Sequence, residues 1–279
     1  MLIKKAKRSF QMITRESSSH KVWPCPNVDI ETEPHFIFIL TPPYSGSTAL
    51  AQTLNSCHHS MLLQKRGEGQ WLIPGMCSND RWNPDKYINW DSVRAVWLQR
   101  IKETNTLVQN INFIIEKSPP NLVRLDQLTS VFPKHTLIAF NRDPFANCSS
   151  RLFRHHKPGT MGQDERLKRI KKIASKWIFC SWWVRKWMAE LPVISFTYES
   201  FCASPEDCIS QLVKKVPEFQ TVDVNKKIKV KDYQKQTIIN QNERQISKLT
   251  PADIDVISEV LEAESDLVKF FGYSTRKLV

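Results

Sequence analysis

The sequence predicts an α/β protein, a parallel β-sheet flanked by helices, and three observations favour that class. Four short, mainly apolar runs at 36–40, 112–117, 136–140 and 193–196 have the composition of strands buried on both faces. Stretches with helical spacing separate these runs along the chain. A polar cluster ends each run, and ligands of doubly wound sheets bind beyond the carboxyl ends of the strands.

The length and charge of the chain limit the number of domains and the kinds of binding partner. A chain of 279 residues is long enough for one large domain, which we place at 35–279 after a basic lead-in at 1–34. The net charge of +12 indicates an anionic partner, which could be a nucleotide cofactor, an acidic glycan, nucleic acid or a membrane surface. Charge alone does not choose among these partners.

The first strand, 36–40, leads into a loop and a helix that together predict an anion site. Two adjacent prolines interrupt regular structure, and Gly46 permits a tight turn. Ser47 and Thr48 then precede an amphipathic helical stretch that runs to residue 54. Unpaired N–H groups and the positive end of the helix dipole favour phosphate or another tetrahedral anion. No GxxxxGK[ST] sequence is present, which disfavours a nucleoside triphosphatase or a P-loop kinase.

The other elements are predicted in order from their apolar spacing and their end residues. A loop at 65–69 carries Glu68 between two glycines, which leave this carboxylate free to project into a cleft. The stretch 71–90 is irregular and suits an insertion that shapes an acceptor cleft. Asp91 and Thr250 are the expected N-caps of two helices. The remaining predicted elements are a strand at 61–63 and helices at 92–107, 122–131, 164–190, 205–216 and 251–271.

The helix at 164–190 carries an apolar stripe on one face and many basic residues on the others. The interpretation we favour is a core-facing stripe with a solvated basic face. A binding surface for an anionic acceptor is the sharper alternative. The basic side chains are Lys168, Arg169, Lys171, Lys172 and Lys176.

Cysteine usage and the N-terminal composition indicate the cytoplasm. The seven cysteines are scattered without C-x-x-C spacing, which favours reduced thiols over a disulfide framework. The histidine pairs at 58–59 and 155–156 lack further ligands at metal-like spacing, so no metal site is expected. The basic N-terminus has no apolar core of a signal peptide, and no apolar run reaches the roughly 18 residues of a membrane span.

Five motifs in one order together resemble the PAPS-dependent sulfotransferase family (PAPS is 3′-phosphoadenosine 5′-phosphosulfate). The resemblance extends over roughly residues 35 to 273 and is nearest to carbohydrate, tyrosylprotein and bacterial members. It implies a P-loop-like sulfotransferase architecture and the transfer of a sulfuryl group from PAPS to an acceptor hydroxyl, with no metal. The motifs are Pro43-Tyr44-Ser45-Gly46-Ser47-Thr48, Glu116-Lys117-Ser118-Pro119, Arg142-Asp143-Pro144 with Ser150, Tyr198-Glu199 and Phe271-Gly272-Tyr273.

The resemblance also implies which residues hold the cofactor. The loop residues 44–48 would bind the 5′-phosphosulfate. Arg142 and Ser150 would hold the 3′-phosphate, because Arg supplies a charged bidentate fork and Ser a hydroxyl donor. Tyr198 would contribute to the nucleotide pocket, and Arg244 is similar in position to a basic residue that some members aim at the 3′-phosphate. On its residues alone, the R-D-P triplet could instead be a helix cap with its Arg in a surface ion pair.

Two residues are similar to catalytic positions of the family. Lys117 resembles the Lys of the E-K-[ST]-P segment, which lies near the transferring sulfuryl group and would stabilise developing charge. Glu68 resembles the carboxylate that tyrosylprotein and some carbohydrate members use as a general base. The alternative for Glu68 is an ordinary carboxylate of a surface loop. The expected acceptor is a hydroxyl on a glycan or small molecule, and nucleic acid is not an expected partner.

Tyr44 departs from the family pattern, which has Lys or Arg between the Pro and the Ser of the loop. A Tyr donates one hydrogen bond but carries no charge, so another cation would have to compensate. Lys117 is the leading candidate, followed by Lys65 and Arg66. The departure leaves open a protein that binds nucleotides or polyanions on the same fold without transferring a group.

Overall fold

The computed structural model describes residues 33–105, 110–230 and 234–276, and these residues contain a five-stranded, entirely parallel sheet. The predicted α/β class with a parallel sheet is therefore confirmed. The predicted lead-in lies mostly outside the described residues, and the single domain at 35–279 stays a prediction. The strands are β1 His35–Leu40, β2 Ser60–Leu62, β3 Phe113–Glu116, β4 His135–Asn141 and β5 Val193–Thr197.

The central strand of the sheet is β1, and the strand order is β2-β3-β1-β4-β5. Phe36 is in register with Ile114 of β3 on one side and with His135 of β4 on the other. Residues 36–40 are each at most 2% exposed, as expected for a strand covered on both faces. Because β3, β1 and β4 are neighbours, the loops that follow them open at the same edge of the sheet.

Helices cover both faces of this sheet. The α-helices of the described residues are α1 Ser47–Leu54, α2 Trp90–Asn105, α3 Leu125–Val131, α4 Pro144–His155, α5 Gln163–Glu190, α6 Tyr198–Ala203, α7 Pro205–Val213, α8 Asn242–Ile246, α9 Pro251–Glu262 and α10 Ser265–Phe270. Short 3-10 helices lie at Gly69–Leu72, Pro119–Val123, Pro158–Thr160 and Pro217–Thr221.

The hydrophobic core has one layer on each side of the sheet and a third layer among helices. Alternate residues of β1 point to opposite faces, so Phe36 and Phe38 enter one layer and Ile37 enters the other. Trp97 of α2 stacks on Phe36 with ring centroids 6.0 Å apart. The third layer lies among α4, α5 and α9, where Trp177 is fully buried. The sheet edge that carries the polar loops is thus held by packing on both sides.

One of the two predicted N-caps is confirmed and the other is wrong. Thr250 caps α9, since its hydroxyl oxygen accepts a hydrogen bond from the Asp253 N–H at 3.2 Å. Asp91 lies within the first turn of α2, which begins at Trp90. The cap is Asn89, whose Oδ1 accepts from the Ser92 N–H at 3.0 Å. Asn and Asp are about equally good caps, so the composition did not decide between neighbouring positions.

Several other predicted boundaries also differ from the structure. The helix expected at 122–131 begins only at Leu125, because the two prolines before it start a tighter 3-10 turn. The helix expected at 205–216 ends at Val213, since Pro217 disfavours helical geometry in the residue before it. The strand expected at 61–63 lies one residue earlier.

The C-terminal helix predicted at 251–271 is divided into α9 and α10. Glu264, with φ −131° and ψ 37°, breaks the helix, and α10 then starts in a new direction. The change of direction buries Leu267 and Val268 completely or nearly so. Neither Gly nor Pro occurs at the break, so only tertiary packing explains it.

The described part of the chain has free thiols, and neither a metal site nor a membrane-spanning helix occurs in it. The described cysteines are all free. Within the same residues, no group of His, Cys, Asp or Glu is arranged to hold a metal ion. None of the described helices has the length and apolar composition needed to cross a bilayer.

Candidate active site

The loop after β1 is held in a tight turn by left-handed backbone at two positions. Gly46 has φ +87°, and a Cβ there would lie 2.4 Å from Cδ2 of Tyr198, so both conformation and space require glycine. Tyr44 also has positive φ, 71°, which is unusual for a side chain of this size. Ser47 and Thr48 open α1, where N–H groups have no intrahelical acceptor. The turn therefore presents free donors toward one side.

Ser45 points away from the open side of the loop and stabilises it instead. Its hydroxyl is fully buried and accepts a hydrogen bond from Nδ2 of Asn147 at 3.1 Å. The same amide nitrogen donates to the Pro43 carbonyl at 2.8 Å. Asn147 lies on α4, so α4 fixes the conformation of the loop after β1.

Arg142 ends β4 and is buried beside this loop. Its Nε donates to Oδ1 of Asn242 at 2.8 Å, and its Nη1 donates to the Tyr44 carbonyl at 3.2 Å. The guanidinium carbon lies 4.3 Å from the ring centroid of Tyr198. The buried Nη2 has no hydrogen-bond partner among the described residues. Since buried donors are nearly always paired, this arrangement suits an anion that completes the fork.

A second layer of contacts holds Arg142 in place. Glu199 accepts hydrogen bonds from Nδ2 of Asn242 at 2.6 Å and from the Asp143 N–H at 2.9 Å. Its other oxygen accepts from the Tyr273 hydroxyl at 2.9 Å. Asp143 caps α4, as the simpler interpretation of the R-D-P triplet supposed, but Arg142 is not in a surface ion pair.

Ser150 and Arg244 are placed differently with respect to the cavity. Ser150, half-buried on α4, lines the same cavity as Arg142. Arg244 is exposed on α8 and does not line it. From that part of the chain Gln241 and Gln245 reach the cavity instead. The resemblance to other family members indicated the basic residue in this part of the chain and gave no sign of the two glutamines.

Glu68 and Lys117 form a direct ion pair, with Oε1 and Nζ 2.6 Å apart. Oε2 of Glu68 accepts from Nε2 of Gln70 and from Nε1 of Trp71, each at 3.0 Å. Burial acts to raise the pKa of Glu68, but the charge of Lys117 and these hydrogen bonds outweigh burial and hold that pKa below its usual value. Both residues line the cavity, so the structure brings the two predicted catalytic residues together.

Glu116 holds the backbone next to this ion pair but does not line the cavity. Its carboxylate accepts from the Gly69 N–H at 2.6 Å and from the Ser118 N–H at 2.8 Å. The Lys117 N–H donates to the Gly67 carbonyl at 2.7 Å. These hydrogen bonds therefore fix the loop that carries Glu68 against the end of β3. Burial raises the pKa of Glu116 to about 7.

The loop after β1, the ion pair of Glu68 and Lys117, and Arg142 with Ser150 line one cavity of about 720 Å³. Among the described residues, nine lysines and arginines and a single carboxylate, Glu68, line it. Trp71, Trp82 and Tyr44 add aromatic surface. The lining cations are Arg66, Arg81, Lys117, Arg142, Arg151, Arg154, Arg169, Lys172 and Lys176.

The cavity corrects one interpretation of the basic face of α5. Arg169, Lys172 and Lys176 line the cavity, whereas Lys168 and Lys171 are exposed outside it. The solvated-face interpretation therefore holds for only part of that face. Arg81 and Arg151 were missed altogether, because an irregular stretch and a helix meet here and neither has a recognisable motif.

Comparison with known proteins gives a family and several structural neighbours. A sequence model of the sulfotransferase family matches residues 34–216. The sulfotransferase domain of the Synechococcus PCC 7002 olefin synthase is 16% identical with a TM-score of 0.45, covering 91% of this chain and 99% of that domain. A sulfotransferase from Alicyclobacillus acidocaldarius is 15% identical with a TM-score of 0.49, covering 88% and 98%. One from Mycobacterium tuberculosis is 13% identical with a TM-score of 0.46, covering 83% and 76%. No curated protein matches the sequence.

Proposed function

Because the chain belongs to the sulfotransferase family, we propose that it transfers a sulfuryl group from PAPS to the hydroxyl of an acceptor. The observation that carries this proposal is the buried Arg142 fork at the same cavity as the donor-rich loop, because its Nη2 has no hydrogen-bond partner among the described residues. Two sets of anion-binding groups in one cavity, the Arg142 fork and the loop after β1, suit a nucleotide that carries phosphate on both the 3′ and the 5′ oxygen of its ribose. A cytoplasmic location remains our prediction.

The residues present fit this cofactor by the chemistry of their donors. The N–H groups at the start of α1, with Ser47 and Thr48, would bind the 5′-phosphosulfate. Arg142 and Ser150 would bind the 3′-phosphate. Tyr198 would form part of the nucleotide pocket. We expect no metal in such a scheme, because the cationic side chains of the cavity would counter the phosphate charges.

The ion pair of Glu68 and Lys117 would provide the side chains that take part directly in the transfer. PAPS, when bound, supplies the sulfuryl group, whose bond to the 5′-phosphate breaks as a bond to the acceptor oxygen forms. Glu68 is held in its ionised form by Lys117, so it would accept the proton that the acceptor hydroxyl loses. Lys117 would stabilise the negative charge that develops near it.

Tyr44 leaves the loop without the usual cation, and the cavity offers replacements. Lys117 lines the cavity, and its side chain, only 4% exposed, is held against Glu68, so its charge is fixed beside the candidate base. Arg66 is exposed and lines the cavity, whereas Lys65 does not line it. Lys117 and Arg66 are therefore the cations that would compensate for Tyr44.

A second candidate function is binding of nucleotides or polyanions without transfer. The observation that favours it is the same Tyr44, together with the strongly basic lining of the cavity. The two functions differ in what they require of the ligand. A sulfotransferase site must recognise the 3′-phosphate, whereas a polyanion site responds mainly to total charge.

Calorimetric titration with 3′-phosphoadenosine 5′-phosphate tests the proposal, with ATP and adenosine 5′-phosphate as comparison ligands. We expect binding that requires the 3′-phosphate and that Arg142→Ala weakens by about 100-fold, since a buried charged fork is worth about 3 kcal/mol. Arg185→Ala, an exposed change outside the cavity, serves as the matched control. Equal binding of all three ligands would contradict the sulfotransferase proposal and favour the polyanion site.

A further inference from the structure

We propose that the acceptor is an acidic saccharide, whose negative group binds a cluster formed by Arg81, Arg151 and Lys176. This inference rests on the proposed function, because it concerns the acceptor side of the same cavity. Hereafter these three residues are called the basic triad. They lie on different parts of the chain, namely the irregular stretch before α2, the helix α4 and the helix α5.

The first argument is the charge of the cavity. Of the residues that the structure describes, nine cationic side chains and one carboxylate line it, which leaves a large positive excess. A nucleotide with a 3′-phosphate and a 5′-phosphosulfate carries about four negative charges near neutral pH. The excess is about twice that number, so the cofactor alone would leave several cations without a counter-charge. Confined, uncompensated positive charge attracts a second anion.

The second argument is that the basic triad has no acidic partner in the described ranges 33–105, 110–230 and 234–276. None of its three members forms an ion pair within the described parts of the chain. Lys176 Nζ instead lies 3.5 Å from the ring centroid of Trp82 and 4.0 Å from that of Phe179. Burial, together with the nearby charges of Arg151 and Arg81, lowers the pKa of Lys176 to about 8. Mutually repelling cations of this kind are stabilised when an anion binds among them.

The third argument concerns the aromatic surface beside the candidate base. Trp71 is 62% exposed, yet its Nε1 donates to Oε2 of Glu68 at 3.0 Å. This hydrogen bond fixes an open indole ring next to the carboxylate that would receive the acceptor proton. A flat aromatic ring with polar groups at its edge is a common platform for the apolar face of a sugar ring. Charge at the basic triad and a ring at Trp71 together indicate an acidic sugar rather than a neutral one.

The test uses a tetrasaccharide of alternating glucuronic acid and N-acetylglucosamine and the same tetrasaccharide with its carboxylates reduced to alcohols. Affinity is measured by calorimetry in the presence of saturating 3′-phosphoadenosine 5′-phosphate. The variants are Lys176→Gln and Arg81→Gln, with Lys171→Gln as the control because Lys171 lies on the same helix but outside the cavity. Lys176→Arg keeps the charge and should restore binding if charge is what matters.

We expect the wild type to bind the acidic tetrasaccharide at least about 10-fold more tightly than the reduced one, a difference of about 1.4 kcal/mol. Lys176→Gln and Arg81→Gln should remove most of this preference, and Lys171→Gln and Lys176→Arg should keep it. The affinity for the nucleotide alone should change by less than about twofold in every variant, since the triad is assigned to the acceptor.

Three results would overturn the inference. Equal affinity of the wild type for the two tetrasaccharides would mean that the acceptor charge is not recognised. If Lys176→Gln lowered the affinity for the nucleotide as much as the affinity for the acidic tetrasaccharide, the triad would be part of the cofactor site. If the wild type bound an acidic peptide containing Tyr and Glu more tightly than the acidic tetrasaccharide, the acceptor would be a protein and not a saccharide. Failure of the wild type to bind the nucleotide at all is a separate result, which contradicts the proposed function itself.

Discussion

Gly46 is the single residue at which backbone conformation and packing leave least freedom. Its φ of +87° and the 2.4 Å approach of a Cβ to Tyr198 both exclude a side chain. We expect Gly46→Ala to lower the free energy of unfolding by about 1 to 3 kcal/mol and to weaken nucleotide binding, since the loop would shift. Urea denaturation and calorimetry measure the two effects.

The matched control for this substitution is Gly159→Ala. A Cβ at Gly159 meets nothing within 4 Å, and its φ lies outside the left-handed region. We expect a change of less than about 0.5 kcal/mol in stability there. Equal effects of the two substitutions would show that the loop does not depend on glycine.

The ion pair of Glu68 and Lys117 allows a prediction about pH. In Lys117→Met the opposing charge is lost while burial remains, so the pKa of Glu68 should rise above the unfolded value of 4.5. In the wild type that pKa lies below 4.5, so the pair stabilises the fold above that pH and the stabilisation is lost as the pH falls through the folded pKa. The carbon-13 shift of the Glu68 carboxyl, followed against pH by NMR, measures the change.

Lys65→Met is the control for this titration, because Lys65 is exposed and does not line the cavity. The carboxyl midpoint in this variant should stay where it is in the wild type. An unchanged midpoint in Lys117→Met would mean that hydrogen bonds from Gln70 and Trp71 alone keep Glu68 ionised, and that Lys117 has no part in doing so.

The residue types in the motifs indicated much of the site, but not the contacts between them. Glycines on both sides of Glu68 predicted a carboxylate that reaches a cleft, and Glu68 lines the cavity. Its pairing with Lys117 could not be predicted, because that contact depends on a backbone hydrogen bond between Lys117 and Gly67, which are 50 positions apart. Ser45 was expected to face the ligand, and only the position of Asn147 shows why it turns inward.

At the scale of elements, two ion pairs join α5 to α9 in very different surroundings. Arg166 holds Asp253 through contacts as short as 2.6 Å, and the carboxylate is fully buried. Lys171 and Glu259 form the exposed pair, 2.8 Å apart. Removing Arg166 would leave a buried charge without a partner, whereas removing Lys171 would leave a solvated one.

We therefore expect Arg166→Met to lower the free energy of unfolding by about 3 kcal/mol, with about 0.5 kcal/mol or less for Lys171→Met. Chemical denaturation of both variants at neutral pH measures this. Similar losses in the two variants would mean that burial does not govern these pairs.

Apolar periodicity predicted most elements well, and their ends much less well. The long helix α5 was expected at 164–190 and lies at Gln163–Glu190, because its stripe repeats over many turns. The break at Glu264 had no local cause and could not be foreseen. The strand order could not be predicted either, since nothing in the composition of β2 indicates that it lies at the edge of the sheet.

At the scale of the whole molecule, Tyr273 helps to position Arg142 of the candidate site. The Tyr273 hydroxyl donates to Glu199, which receives Nδ2 of Asn242, and Asn242 in turn receives Nε of Arg142. Four parts of the chain thus meet in one series of hydrogen bonds. The family match ends at residue 216, so part of this series lies beyond it.

We expect Tyr273→Phe to weaken binding of 3′-phosphoadenosine 5′-phosphate by about 3- to 10-fold and to lower the free energy of unfolding by about 1 kcal/mol. The reason is that Glu199 loses one donor and holds Asn242 less firmly. Tyr87→Phe, at a tyrosine that is 73% exposed, is the control. Calorimetry and urea denaturation measure both quantities, and full affinity in Tyr273→Phe would show that this series does not position Arg142.

The wide spacing of the cavity residues along the chain has a practical consequence. They extend from Pro43 to Gln245 and come from the ends of three strands and several helices, so no local fragment contains the site. A ligand that binds only the assembled cavity must therefore add its binding free energy to that of the fold as a whole. At 100 times its dissociation constant, such a ligand adds about 2.7 kcal/mol. The melting temperature should consequently rise with the right acceptor or nucleotide, which makes simple heating a way to search for substrates before any assay of transfer exists.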